Sequence, residues 1–427
     1  MIVDGLIKKG MEKAQGVQAS LNRSESDHVS FENDKLKAVK SSQGTTVSVK
    51  VIVDGKIGLS HTTDIADLDG VVERALDAAA FGSPAHFSFP GPQEPPEVKI
   101  YDPAVLDVSK GEMVDLGKEM MAVVKDYNPE ILLGSSLTKV VGANEFANSA
   151  GTRFTSERTQ FRLGVQGQLV RGTDILWAGD SFGWRRREID HMAVARKAVK
   201  LFQMAENIAP IRSGNLPVIL APEAMNVLLL ALHMGLNGKN VFLGASPVAG
   251  NLGKQIADKV FSMKDDPLID YGMGSGSFDA EGVPHQVTPL IVNGVLKNFL
   301  YDLDTAGRAG TRSTGNGVGC GPTNLVVETG ETPYEDMIRG VDEGLLVYDV
   351  LGLGQGNPIS GEFSVNVHLG YKIENGEVVG RVKDVMLAGN SYDALKNISA
   401  VGNKAEWVGG SMILPPVQIG TLSVIAK

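Results

Sequence analysis

LPVILAPEAMNVLLLALHMGLNG, residues 216–238, is the stretch on which the fold of this chain turns. Leu216 to Ala221 is a short apolar run ending at Pro222, and it reads as a buried strand. Proline suits the first turn of a helix, where its missing N–H is not needed. From Glu223 the apolar residues spread around a helix that Gly235 or Gly238 would stop. A strand feeding a helix this apolar places the helix in a core, with His233 as the titratable group on its later turns. The plain reading is a scaffold helix with a histidine at its edge. A metallohydrolase helix would instead offer two histidines about one turn apart and a glutamate to activate water. No such pair exists here.

Downstream of this stretch the chain is rich in strands. QVTPLIVNGVLKNFLYD is a hairpin turning at Asn293–Gly294, and GYKIENGEVVGRV is a second one turning at Asn375–Gly376. Short helices are expected at about 333–343 and 391–399, and PPVQIGTLSVIAK is a last strand. Upstream the pattern is α/β. A helix is expected over about 2–15, strands near 17–22 and 28–33, and a strictly alternating strand over 46–53. Asp54–Gly55 turns it back through 56–61, and a helix follows over 66–81 with Asp64 as its cap. Pro84, Pro90, Pro92, Pro95 and Pro96 argue for a linker or extended strap. A helix over about 109–127, strands near 136–142, 152–158 and 161–170, and a helix over about 191–207 capped by Asp190 complete the middle. The expected class is α+β, an α/β amino-terminal part followed by a strand-rich carboxyl-terminal domain. The expected divisions are 1–83, a proline-rich linker 84–108, a central α/β segment 109–212, and 213–427.

Composition narrows the function classes. The 427 residues are 43% hydrophobic and 21% charged, which suits a globular protein of two or three domains. A net charge of −10 argues against direct binding of nucleic acid. Arg185–Arg186–Arg187 is the basic exception, and beside Glu188 and Asp190 it reads as a solvated turn. A single cysteine, Cys320, excludes an internal disulfide framework. The amino terminus has no long apolar core and no small-residue cleavage site, and no apolar run reaches the length of a membrane span. A cytoplasmic protein is expected.

The most unusual composition lies at 305–324, TAGRAGTRSTGNGVGCGPTN. Glycine allows close backbone approach to a ligand, and unpaired N–H groups can bind anions or peptide carbonyls. The stretch matches neither a P-loop nor the dinucleotide fingerprint, and it reads first as a long irregular connection between sheet strands, with ligand contact as the second reading. Asp302, Arg312, Ser313, Thr314, Asn316 and His233 are the candidate ligand or peptide contacts. Asp302 and Asp304 could do acid–base work as a pair. His285 and His368, in strand-rich segments without partners at ligand spacing, read as structural.

KNFLYDLDTAGRAGTRSTGNG, GEFSVNVHLGYKIENGEV and VMLAGNSYDALKNISAVGN together resemble the TldD/PmbA family, long called modulators of DNA gyrase. VSFENDKLKAVKSSQGTTVSVKV and GLSHTTDIADLDGVVERALDAA fit as well, so the resemblance covers nearly the whole chain. It implies zinc metallopeptidases and their partners. In the TldD branch an HExxxH helix and a late cysteine hold the metal. Laid on this sequence, the pattern falls on Leu230, Ala231 and Gly235, with His233 at a free position and no cysteine after Cys320. The departure resembles the PmbA (TldE) branch. It implies a chain without zinc or independent catalysis that pairs with a TldD-like zinc-bearing subunit to process small or unfolded peptides. The alternatives are a stand-alone homodimer that binds peptides or another small ligand, and a topoisomerase-linked regulator.

Overall fold

Alternating apolar residues sustained over long runs build the amino-terminal half. In the computed structural model, which describes residues 2–355 and 357–426, this half rests on one antiparallel sheet. Its strands are β1 (Gly16–Glu32), β2 (Lys35–Val53), β3 (Lys56–Thr62), β4 (Leu132–Asn148), β5 (Arg153–Arg171) and β6 (Asp174–Trp184), in the order β3-β2-β1-β4-β5-β6. The stretches 1–83 and 109–212 therefore contribute to the same sheet. Two strands expected at 17–22 and 28–33 are one, because the polar middle around Arg23–Asp27 is laddered to β2 and β4 on both sides while its side chains face water. β6 was not foreseen.

Odd-numbered residues of β1 face two separate cores at its two ends. Val17, Ala19 and Leu21 pack under α1 (Ile2–Gly10) and α2 (Leu68–Ala79). Val29 and Phe31 pack under α3 (Lys110–Tyr127) and α4 (His191–Met204). α1 stops short of residue 15 at Gly10, whose missing Cβ leaves room for Val17. Asp64 is not the cap of α2. Its carboxylate accepts from the Ala66 N–H, and the helix begins beyond Asp67. Asp190 and Ser109 do cap α4 and α3 through side-chain acceptors.

The carboxyl-terminal part is strand-rich. The predicted strand is β7 (Gly214–Leu220), and a 3₁₀ turn at Pro222–Met225 leads into the quoted helix, α5 (Asn226–Gly235), then α6 (Gly238–Phe242). There follow β8 (Met263–Asp265), β9 (Thr288–Val292), β10 (Val295–Leu296), α7 (Leu303–Ala309), β11 (Leu325–Val327), α8 (Tyr334–Arg339) and β12 (Glu343–Leu351). The chain ends with β13 (Glu362–Glu374), β14 (Glu377–Arg381), β15 (Val385–Asn390), α9 (Ser391–Lys396), β16 (Ile398–Val401), β17 (Glu406–Val408), β18 (Met412–Leu414) and β19 (Val417–Ala426). β12, β7, β19, β15 and β13 pair in that order and β13 closes back on β12, so this sheet is a barrel. A second, open sheet runs β10-β9-β8-β11-β18-β17. Mixed helices and sheets with a strand-rich end make the fold α+β.

The turns at Asp54–Gly55, Asn293–Gly294 and Asn375–Gly376 all have positive φ at both residues, as two-residue hairpins require. Residues 85–102 form neither helix nor strand. They are a strap laid over both halves. His86 donates its N–H to Asp304, and Pro90 O accepts from Asn148 and Thr152. Gly307 is required under it, since a Cβ there would stand 1.7 Å from the His86 carbonyl oxygen.

The basic cluster is not a solvated turn. Arg185 is buried and donates to the carbonyls of Gly272 and Met273 across to the carboxyl-terminal part. Arg186 stacks over Trp184 and Tyr271, and Arg187 pairs with Glu112. An arginine can bury its stem while its planar head satisfies backbone acceptors, which charge counting does not reveal.

Candidate functional site

Helix α5 packs its Val227, Leu228, Leu229, Ala231 and Leu232 into the largest core. The neighbour that fixes its last turn is Tyr392, on the first turn of α9. The Tyr392 hydroxyl donates to the Ala231 carbonyl at 2.9 Å and lies 3.2 Å from the Ile359 carbonyl. A Cβ at Gly235 would stand 2.4 Å from that hydroxyl. Ser391, beside it, donates to the Val227 carbonyl. Leu230 is only half-buried and lines a narrow crevice with Gly352, Leu353, Gly354 and Gln355. Of the three positions onto which the HExxxH pattern falls, one is aliphatic, one is a buried alanine and one is a glycine under a tyrosine. Leu230, Ala231 and Gly235 offer no donor atom to a metal, and the space a side chain at 235 would use belongs to Tyr392. This set does not fit zinc. Among the described residues no three His, Cys, Asp or Glu side chains are grouped to hold a metal ion.

His233 stands on the outer side of α5, against the end of the glycine-rich loop, where a Cβ on Gly321 would be 3.9 Å from its Nε2. Asn237, just past the helix, donates to the carbonyls of Gly319 and Cys320. The structure thus brings α5 and the loop together. The loop is less irregular than its composition suggests, since its first residues form α7.

The predicted contact residues divide by what holds them. Asp302 caps α7, with one oxygen accepting from the Thr305 N–H at 2.8 Å and the other from the Gly319 N–H at 3.1 Å. Burial opposes its ionisation, but these donors and Cys320 outweigh it and hold its pKa below the usual carboxylate value. Asp304 turns away to Arg308, so the two do not form an acid–base pair. Thr314 and Ser313 donate to the Tyr301 carbonyl. Asn316 is buried and donates to Asp265 and to the Gly321 carbonyl. Arg312 is exposed at the surface. Asp302 and Asn316, and in part Ser313 and Thr314, therefore spend their polar atoms on the shape of the loop.

Three acids that the sequence did not single out complete this region. Asp279 accepts the N–H groups of Glu281, Val283 and Gly317, and burial pushes its pKa up to about 6. Asp265 accepts from Thr323 and Asn316. Glu281 pairs with Lys50 of β2 at 3.0 Å and accepts the Leu303 N–H. Acidic residues are common in this chain, and only the topology shows which of them are buried.

Comparison with known proteins covers the whole of this architecture. Residues 17–79, 103–204 and 213–426 match PmbA/TldA metallopeptidase domain 1, the central domain and the C-terminal domain of that family. The metalloprotease PmbA homolog of Haemophilus influenzae is 25% identical, over 95% of this chain and 90% of its own. TldE from Thermococcus kodakarensis superposes with a TM-score of 0.92 at 25% identity, covering 100% of both chains. A Thermotoga maritima protein described as a modulator of a DNA gyrase gives a TM-score of 0.92 at 27% identity, over 99% of each chain. With all three domains matched in order and the fold shared from end to end, the chain belongs to the PmbA/TldD metallopeptidase family.

Proposed function

We propose that this chain is the non-catalytic subunit of a cytoplasmic peptidase complex, pairing with a TldD-like zinc-bearing chain to process small or unfolded peptides. The observation that carries this reading is Tyr392 standing over Gly235, with Leu230 and Ala231 beside it: the helix that would bear the metal is packed and donor-free. The chain then holds no zinc itself and leaves the chemistry to its partner. Its own part is to shape the shared cavity and hold the peptide, for which strand addition to a sheet edge is the available mode.

The test is to purify the tagged protein from its own cells and identify what accompanies it. The expected result is a TldD-like chain that carries the zinc, and cleavage of casein fragments by the pair alone. The isolated chain, after exposure to zinc, should hold no stoichiometric metal and cleave nothing. One tightly held zinc per isolated chain, with chelator-sensitive proteolysis, would overturn the proposal. Recovery of the chain only with itself would favour the homodimer.

A further inference from the structure

Away from α5, a cavity of about 660 Å³ opens between β5, β6, α4 and the outer wall of the barrel. That is the size of a small-molecule site. Leu230, Ala231 and Gly235 do not line it, so it stands apart from the reading of α5. We propose that this cavity binds a small organic cation, an ammonium group carried on an apolar body about the size of an aromatic ring.

The sign of the ligand's charge follows from how the polar groups are shared. Asp180, Glu223 and Asp349 line the cavity, and Lys197 lies among them. The Lys197 ammonium is already taken up by Glu223 at 2.5 Å and by Glu406 at 2.9 Å. Lys197 is therefore not free to receive an anion. Arg162, the other fixed positive charge on the lining, is exposed on β5. Asp180 receives no side-chain hydrogen bond among the described residues, and the second oxygen of Glu223 has no partner there. The carboxylates thus outnumber the cations available to them. An incoming ammonium would give Asp180 the charge-assisted donor it lacks.

The body of the ligand follows from the walls. Trp177, Trp407 and Tyr348 line the cavity. Such rings favour an apolar group and attract a cation across their faces. Gly164 and Gly179, also on the lining, keep the sheet's side free of bulk.

The test is isothermal titration of the intact chain near neutral pH with phenethylamine, phenylalaninamide and phenylacetate. At least one ammonium probe should bind with a Kd below about 1 mM, and phenylacetate should not. The tighter of the two ammonium probes tells whether the natural ligand is a free amine or the amino end of a peptide. Asp180→Asn should weaken that binding about tenfold, the loss of one charge-assisted contact. Thermal melts establish that the variant is folded; if it is not, Asp349→Asn carries the same comparison. Equal binding of phenylacetate, no binding of either ammonium probe, or unchanged affinity in a folded variant would overturn the proposal.

Discussion

At Gly235 the absence of a single carbon is what admits Tyr392. Alanine is the better helix former by about 1 kcal/mol, so on propensity alone Gly235→Ala should stabilise α5. The Cβ would meet the Tyr392 hydroxyl at 2.4 Å and Val248 at 3.4 Å, and the clash should win. The expected outcome is a net loss of roughly 1–3 kcal/mol, as for overpacking. In a Tyr392→Phe background the penalty should shrink, giving a coupling of about 1 kcal/mol or more in urea titrations of the four proteins. A fully additive cycle would mean that the hydroxyl is not what excludes the side chain. Asp180 offers a second test, through pH. Burial raises its pKa from 3.8 to about 6, against the pull of Lys197. The folded chain therefore binds this proton more tightly than the unfolded chain, and stability from this group falls as pH rises through that window. Asp180→Asn should be at par with the parent below about pH 4 and more stable above about pH 6, by up to roughly 3 kcal/mol. Asp279, also pushed up to about 6, is common to both proteins and cancels in the difference. Melting temperatures of the pair across pH 3–8 decide it, and parallel curves would refute it.

The glycine-rich loop shows at the level of an element why composition was a partial guide. Its glycines are not equivalent. Gly315 has φ +76 with Pro284 O 2.7 Å from a would-be Cβ, and Gly317 faces Glu281 at 2.6 Å. Gly321 has only His233 near it, at 3.9 Å. Cys320 is buried, accepting the Asp302 N–H and lying 3.6 Å from the Thr305 hydroxyl, both groups that a serine could also use. Gly317→Val should abolish soluble expression or lower Tm sharply, whereas Cys320→Ser should shift it by no more than a few degrees. The opposite order would mean the loop is built around its thiol. What was legible here, and elsewhere, was local chemistry: the Asn-Gly and Asp-Gly turns, the apolar run into α5, the cap Asp190, the missing metal pattern. What was not legible depended on partners far along the chain. Tyr392 meets Gly235 from 157 positions away, and nothing in SYDALK announces it. β6, DILWAGDSFGW, carries Gly179 and Gly183 and two aspartates, and it becomes a strand because β5 pairs with it along its whole length. Asn33–Asp34, a turn with positive φ at both residues, was passed over because it lacks the glycine that usually marks such a hairpin.

One of the seams that hold the molecule together lies between the sheet's other face and the carboxyl-terminal part. Even-numbered residues of β1, β2, β4 and β5 supply it. Gln18 donates to the Ala280 carbonyl, Lys50 pairs with Glu281, and Phe146, Phe154 and Phe278 stack in a column with centroids 4.7 and 4.4 Å apart. Glu281 is almost wholly buried, 3% exposed at the side chain, and Lys50 is 14% exposed, so the carboxylate cannot turn to bulk water if the ammonium is removed. Buried pairs of this kind add little compared with a well-packed apolar replacement of both members, but removing one member strands the other. Lys50→Met leaves the Glu281 carboxylate with the Leu303 N–H as its remaining donor. The expected loss is about 3–5 kcal/mol for a fully buried pair, and less here because Lys50 keeps some access to solvent. Lys50→Met with Glu281→Leu should recover much of it. The two halves also share a core: Ile219, Leu346, Leu369, Tyr371 and Ile373 of the barrel pack in one cluster with Phe31, Phe161 and Phe202 under α3 and α4, and the Tyr371 hydroxyl donates to the Leu201 carbonyl. Because that core runs through both halves, Lys50→Met should still melt in one calorimetric transition, at a lower temperature than the parent. A single transition at the parent's temperature would show that the aromatic column and Arg185 hold the halves together without the ion pair. Two separate transitions would show that the halves can fold apart.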